Sequence, residues 1–165
     1  MAKILSNKII NLLNIRINEE ELSSRLYLAM SIWLNKNGFS GASTLFKKYS
    51  DEELLHADKA RSYLLDLDVL PQTNVIKSVV EQYDSLVTII QQAYEREIKI
   101  TNQCEELAKA CNDESDFMSL NVALWYLNEQ TEELAKPKTT TTNNTQGNTA
   151  QIGRASCRER VLRLV

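Results

Sequence analysis

Carboxylates and the single histidine stand at positions where apolar residues would normally complete a helical stripe. Glu53 and His56 form a Glu-x-x-His pair, and side chains three residues apart lie on one face of a helix. Acidic or amide side chains interrupt three other apolar stripes, at Glu20, Glu97, Gln130 and Glu133. A buried carboxylate is costly unless it is paired, hydrogen-bonded or bound to metal. Four carboxylates cannot all stay ionised in one dry core without a counter-charge, so the pattern predicts a pair of divalent metal ions.

The donor types narrow the choice of metal. Carboxylate oxygens with one imidazole suit iron or manganese better than a metal that prefers thiolates. A lone Glu-x-x-His is common on surface helices, and an isolated Glu20 or Glu97 is more often a solvated charge. The stronger observation is that each of four predicted helices carries at least one carboxylate inside its apolar stripe.

The apolar spacing predicts four helices that would position these residues. The first starts at Ser6 or Asn7 and runs to residue 35, and the others cover residues 40–67, 77–110 and 115–135. Ser50 begins a capping-box pattern and offers a competing start for the second helix, but the spacing of the apolar residues before it favours the longer helix. Short first and third connections predict an all-α, antiparallel four-helix bundle, in which the segment around Pro71 is a long crossover.

Composition excludes several other classes of protein. The 165 residues include only 4 Gly and 2 Pro, too few for the turns of an all-β sandwich or barrel. No apolar run approaches the length of a membrane span or a signal peptide, and three cysteines at unpatterned spacing do not make a disulfide framework. A soluble protein of the cytoplasm, without a membrane partner, is therefore expected.

The net charge of −3 conceals two oppositely charged parts. Residues 1–135 contain 13 basic and 21 acidic residues, a net charge of −8, whereas residues 136–165 contain six basic and one acidic residue, a net charge of +5. The acidic part argues against nucleic acid as the main partner and suits cations. Residues 139–149 have no apolar side chain and predict disorder, and residues 151–165 look like translated vector or adapter DNA. We therefore expect a bundle domain over residues 1–136 and a disordered or non-native tail over residues 137–165.

The motifs together resemble those of the bacterial-type non-haem ferritins, over about residues 7–135. The resemblance rests on Glu20 with the Leu26-Tyr27 pair, on residues 51–57, on residues 94–97 and most specifically on residues 124–133, whose sequence is LWYLNEQTEE. It implies the ferritin-like fold, with a long crossover between the second and third helices.

The resemblance also implies roles for individual residues. Glu20, Glu53 and His56 would bind the first iron, and Glu53 would bridge to a second iron bound by Glu97. Gln130 and Glu133 would lie close to that second iron, and Tyr27 would hydrogen-bond the centre and supply an electron. A third iron would be held by Glu52, Glu129 and Glu132.

By this resemblance the protein is a ferroxidase that oxidises Fe(II) to Fe(III) with O2 or H2O2 and stores ferric mineral inside a homo-oligomeric shell of 24 subunits. Haem is not expected, because Leu54 follows Glu53 where a haem-binding family member has Met, and the fourth helix has no second Glu-x-x-His. Two other functions fit the same residues: a soluble di-iron oxidase or peroxidase that stores no mineral, and a metal-free helical scaffold.

Overall fold

In the computed structural model, which describes residues 5–79 and 82–134, the chain forms four long helices. They are α1 (Asn7–Lys36), α2 (Ser40–Asp66), α3 (Leu86–Asp113) and α4 (Phe117–Glu133), and the described residues contain no strand. α1 packs along α2, α3 packs along α4, and α1 also contacts α3. The predicted all-α four-helix bundle with a long crossover between its second and third helices is confirmed. None of the described helices combines the length and apolar character that a bilayer crossing needs.

The first two helices begin where the sequence predicted. The Ser6 side chain caps α1 by accepting a hydrogen bond of 3.2 Å from the Ile9 amide. Gly38 takes a positive φ of 86° in the short connection that follows. α2 starts at Ser40, so the alternative start at Ser50 is wrong. Ser50 is buried inside the helix instead, and its hydroxyl shares a hydrogen bond of 3.1 Å with that of Ser24.

The third and fourth helices differ from prediction at their starts. α3 begins at Leu86 rather than residue 77, because Ser85 is its N-cap and accepts a hydrogen bond of 3.1 Å from the Thr88 amide. Residues 77–79 and 82–85, which precede it, are not helical, and Val75 is 92% exposed. α4 begins at Phe117 rather than residue 115, with Asp116 as its N-cap, and its last helical residue is Glu133. The predicted tail over residues 137–165 lies outside the described residues.

Two apolar clusters fill the bundle, one on either side of its middle. The first contains Ile9, Leu13, Leu64, Ile100, Leu107 and Tyr126, and the second contains Tyr27, Met30, Leu34, Phe46, Ile89 and Ile90. In α1, α2 and α3 the buried residues Glu20, Glu53, His56 and Glu97 fall between the members of the two clusters. The apolar packing therefore fixes the helices on both sides of a polar middle section.

A buried asparagine ties the crossover to α1. The Asn14 side chain is 2% exposed. Its Oδ1 accepts a hydrogen bond of 2.8 Å from the Gln72 amide, and its Nδ2 donates one of 3.0 Å to the Ile10 carbonyl. The segment after α2 is therefore anchored by a specific polar contact as well as by the packing of Val69 against the first apolar cluster.

Replacing Asn14 tests this anchor. Asn14→Ala leaves the Gln72 amide without its acceptor, so we expect a loss of about 1–3 kcal/mol in the free energy of unfolding. Amide exchange of Gln72 should also become faster. Asn11→Ala, on the exposed side of α1, is the matched control and should change neither quantity. If both variants behave alike in urea unfolding and amide exchange, the crossover is held by something other than Asn14.

Candidate metal centre

Five buried side chains form two adjoining groups of metal-ligating atoms. One donor atom from each of Glu20, Glu53 and His56 lies within 4.8 Å of the others. The same holds for Glu53, Glu97 and Glu133. Glu53 belongs to both groups, so the geometry offers two neighbouring metal positions with one shared carboxylate. We call them the first position and the second position.

The orientation of His56 is set by contacts at both ring nitrogens and at its backbone. Its Nδ1 lies 3.1 Å from Oε2 of Glu53, and its Nε2 lies 3.7 Å from Oε2 of Glu129. The Tyr126 hydroxyl donates a hydrogen bond of 2.7 Å to the His56 carbonyl, and the Trp125 ring packs edge-on against the imidazole at 5.7 Å. Nδ1 is therefore the nitrogen that faces the first position.

Tyr27 and Gln130 adjoin the second position. The Tyr27 hydroxyl donates to Oε1 of Glu97. Burial and the nearby Glu97 raise the pKa of Tyr27 well above its usual value, so the phenol keeps the proton that it donates. The Thr101 hydroxyl lies 2.9 Å from Oε1 of Gln130 and 2.8 Å from the Glu97 carbonyl, and its one proton is shared between these two acceptors. This threonine, which the sequence analysis did not single out, links α3 to α4 one turn beyond Glu97.

The three carboxylates assigned by resemblance to a third iron are not part of the buried centre. Glu52, Glu129 and Glu132 line an open pocket of about 600 Å³, together with His56 and Glu133. The Glu52 and Glu129 side chains are 28% and 31% exposed, and Glu52 lies 3.2 Å from the Lys48 ammonium. The pocket therefore adjoins the centre through His56 and Glu133 but is open to water.

A buried arginine that the sequence analysis missed stands beside Glu20. Arg16 is one helical turn before Glu20, and its Nε lies 3.8 Å from Oε1 of that carboxylate. The arginine was overlooked because the stripe of α1 was read for apolar and acidic residues. The i, i+4 spacing of Arg16 and Glu20 was the available signal.

The chemistry of the first position fits a cation. Burial raises the pKa of Glu20 to about 7, and the charge of Glu53 acts in the same direction, although Arg16 and His56 oppose the shift. Oε1 of Glu20 has no hydrogen-bond partner among the described residues. A buried oxygen without a partner is rare in proteins and calls for an ion or another ligand. Carboxylates with one imidazole are a suitable donor set for iron.

Fold and site together define a class of protein, the four-helix bundle with a carboxylate-rich centre between its helices. A family model described as a ferritin-like domain matches residues 10–144, and the chain belongs to this family. The resemblance to bacterial non-haem ferritins that the motifs indicated is thereby confirmed.

Individual relatives agree with the family match. The chain is 35% identical over 130 residues to the bacterial non-heme ferritin of Escherichia coli O6:H1, and the aligned residues cover 79% of each chain. It is 33% identical over 132 residues to that of Campylobacter jejuni, covering 80% of this chain and 79% of the relative. Among solved structures, an open-pore ferritin from the archaeon Archaeoglobus fulgidus superimposes with a TM-score of 0.79 at 30% identity, covering 81% of this chain and 82% of the other.

The raised pKa of Glu20 predicts how the stability of the metal-free protein depends on pH. Glu20 has a pKa of about 7 in the folded state against an ordinary value of 4.5. Between these values the folded state holds more protons than the unfolded state, so the Glu20 contribution to stability falls as the pH rises through this window. A shift of this size corresponds to roughly 3 kcal/mol at pH 8.

Glu20→Gln isolates this contribution, because the amide is neutral at every pH. In urea unfolding of metal-free protein, the variant should be more stable than the parent at pH 8, and the difference should shrink as the pH falls and vanish by about pH 4, below the unfolded-state pKa. Glu105→Gln, at an exposed site of α3, is the control and should show no such pH-dependent difference. A constant offset between Glu20→Gln and the parent would show that Glu20 is not held in an unfavourable ionised state.

Proposed function

We propose that the chain is an iron-storage ferritin whose buried centre is a di-iron ferroxidase. In this function two Fe(II) ions bind as substrate, each loses one electron, and the Fe(III) product is deposited as mineral inside a shell of identical subunits. The observation that carries the proposal is the pair of adjoining buried ligand groups with Glu53 in common. Membership of the ferritin-like family supports it.

Each ligand has a distinct part in this proposal. Glu20 and His56 hold the first iron, Glu97 and Glu133 hold the second, and Glu53 bridges the two. With O2 as oxidant, two Fe(II) supply two electrons, and O2 takes these with two protons to give H2O2 and two Fe(III). With H2O2 as oxidant, the same two electrons and two protons give two water molecules. The protein contributes the short distance between the irons and a site from which bulk water is excluded.

Tyr27 and Gln130 have supporting parts. Tyr27 orients Glu97 through its hydrogen bond. Its phenol is also the proposed source of one further electron, released together with its proton, when O2 takes three electrons rather than two. Gln130, held by Thr101, offers an amide beside the second iron. The open pocket with Glu52, Glu129 and Glu132 is the proposed third iron site, through which product passes out of the centre.

We also propose a cytoplasmic location and assembly into a homo-oligomeric shell, with 24 subunits by resemblance to the family. Both cysteines in the described part of the chain, Cys104 and Cys111, are buried and form no disulfide with a described residue, which suits a reducing compartment. Shell formation separates a storage protein from a di-iron oxidase or peroxidase that stores no mineral.

Glu53 is the residue whose loss affects both irons. Glu53→Ala should lower the rate of Fe(II) oxidation in air by at least about tenfold, since even partners of metal ligands change metal affinity or activity by 10–100-fold. Helix content should be retained, because the apolar clusters on both sides are unchanged. The rate is followed by the absorbance of Fe(III) after rapid mixing with Fe(II).

The control for Glu53→Ala is Glu105→Ala, which removes an exposed carboxylate from α3 and should oxidise iron like the parent. Oxidation by Glu53→Ala at the rate of the parent would exclude the shared carboxylate as the bridge. Equal slowing in both variants would point to a loss of general negative charge instead.

The proposed domain over residues 1–136 and the shell are tested together by truncation. Chains that end at Lys138 and at Val165 should both elute as a large oligomer in size-exclusion chromatography with light scattering. Both should also appear as hollow particles by electron microscopy. Assembly of the longer chain alone would make residues 139–165 a working part of the protein. Monomers or dimers from both chains would favour the oxidase without storage.

A further inference from the structure

Arg16 is a fully buried cation beside the proposed first position. Its side chain is 1% exposed, and its guanidinium reaches from α1 to α3. Nη1 donates hydrogen bonds of 3.3 Å to the Ile100 carbonyl and to the Cys104 sulfur, and Nη2 donates one of 3.1 Å to Gln103. These contacts fix the guanidinium in place and leave Nε pointing at Glu20.

The contact between Arg16 and Glu20 is one of charge and not a hydrogen bond. Nε of Arg16 and Oε1 of Glu20 are 3.8 Å apart, and neither atom has a hydrogen-bond partner among the described residues. The carboxylate oxygen therefore keeps its lone pairs for a metal while it feels a permanent positive charge. An arginine side chain does not lose its proton in a protein, so this charge is present under all conditions.

A fixed cation at this place acts on the carboxylates and on the metal in opposite directions. It attracts the Glu20 carboxylate and so stabilises the metal-free site, but it repels a metal ion bound to the same carboxylate. The repulsion is proportional to the charge of the metal, so it is half as large again for Fe(III) as for Fe(II).

We propose that Arg16 is a built-in counter-cation of the first position, which stabilises the metal-free carboxylates, weakens metal binding there and favours release of the oxidised product. The inference rests on the proposed metal centre. Arg16 acts through Glu20 and touches neither iron nor oxidant, so it is a positioning residue. Arg16 and the metal both interact with the Glu20 carboxylate, and each weakens the interaction of the other. The free energy by which Arg16 weakens metal binding therefore equals that by which the metal weakens the stabilisation from Arg16.

The test is Arg16→Gln in the full chain, with Zn(II) as a redox-inert probe. Removal of the charge should lower the melting temperature of the metal-free protein. It should also tighten Zn(II) binding at the first position by about tenfold, within the range usual for coupled sites. Calorimetric titration measures the affinity, and Glu20→Ala in each background identifies which binding step belongs to the first position. Arg16→Lys should return the affinity towards that of the parent.

Arg96→Gln is the matched control. Arg96 is also buried, with a side chain that is 8% exposed, and its Nη1 lies 2.6 Å from Glu19, which belongs to neither ligand group. Its loss should lower the melting temperature and leave the Zn(II) affinity of the first position unchanged. A residue with a merely structural role behaves like Arg96.

The possible results separate cleanly. Tighter Zn(II) binding by Arg16→Gln, or a variant that folds only when Zn(II) is added, supports the proposal. Unchanged or weaker Zn(II) binding by Arg16→Gln overturns the proposed role of Arg16 and leaves the proposed ferroxidase centre standing. A variant that stays unfolded at saturating Zn(II) has the same two consequences. A parent protein whose Zn(II) binding is insensitive to Glu20→Ala has no metal site at the first position, and this result overturns the proposed centre together with the role of Arg16.

Discussion

Glu20, Glu53 and Glu97 are buried between two apolar clusters with Glu133 buried beside them, and the remaining features of the bundle follow from this arrangement. Carboxylates at these distances cannot all be ionised without a counter-charge, so the polar middle of the bundle is costly. Packing of the apolar residues on both sides supplies the stability that offsets this cost. The polar contacts around the carboxylates offset part of the cost: Tyr27 donates to Glu97, His56 faces Glu53, and the Arg16 guanidinium lies beside Glu20. In the proposed function, a pair of metal ions would supply the remaining counter-charge.

The sequence indicated which carboxylates come together, because each of them breaks an apolar stripe, and that is visible without a structure. The ends of the helices were harder to predict from the sequence, because they depend on single polar contacts. The spacing predicted that α3 starts at residue 77, yet Ser85 caps the helix, and Val75 in the segment before it is exposed to solvent. Partners across the bundle, such as Thr101 for Gln130, could not be predicted at all. Their role depends on the register of α3 against α4, which no spacing within one helix reveals.

The centre and the neighbouring pocket differ in their access to water, and His56 stands at the boundary between them. On one side its Nδ1 contacts the buried Glu53, and on the other its Nε2 faces the partly exposed Glu129. Buried carboxylates interact strongly with a metal and with one another, whereas those in the open pocket are screened by solvent. The same residue type therefore stands in two electrostatic environments, one buried and one open to water, on either side of the His56 ring.

The two metal positions also differ in the helices that build them. Every ligand of the first position belongs to α1 or α2, which form one closely packed pair, and each lies well inside its helix. The second position takes Glu53 from α2, Glu97 from α3 and Glu133 from α4, so a metal bound there joins the two helix pairs. Because Glu133 is the last helical residue of α4, and helix ends fray, its place is held less firmly than that of Glu53. The first position is thus built within one helix pair, whereas the second spans both pairs, although its three donor atoms already lie within 4.8 Å of one another.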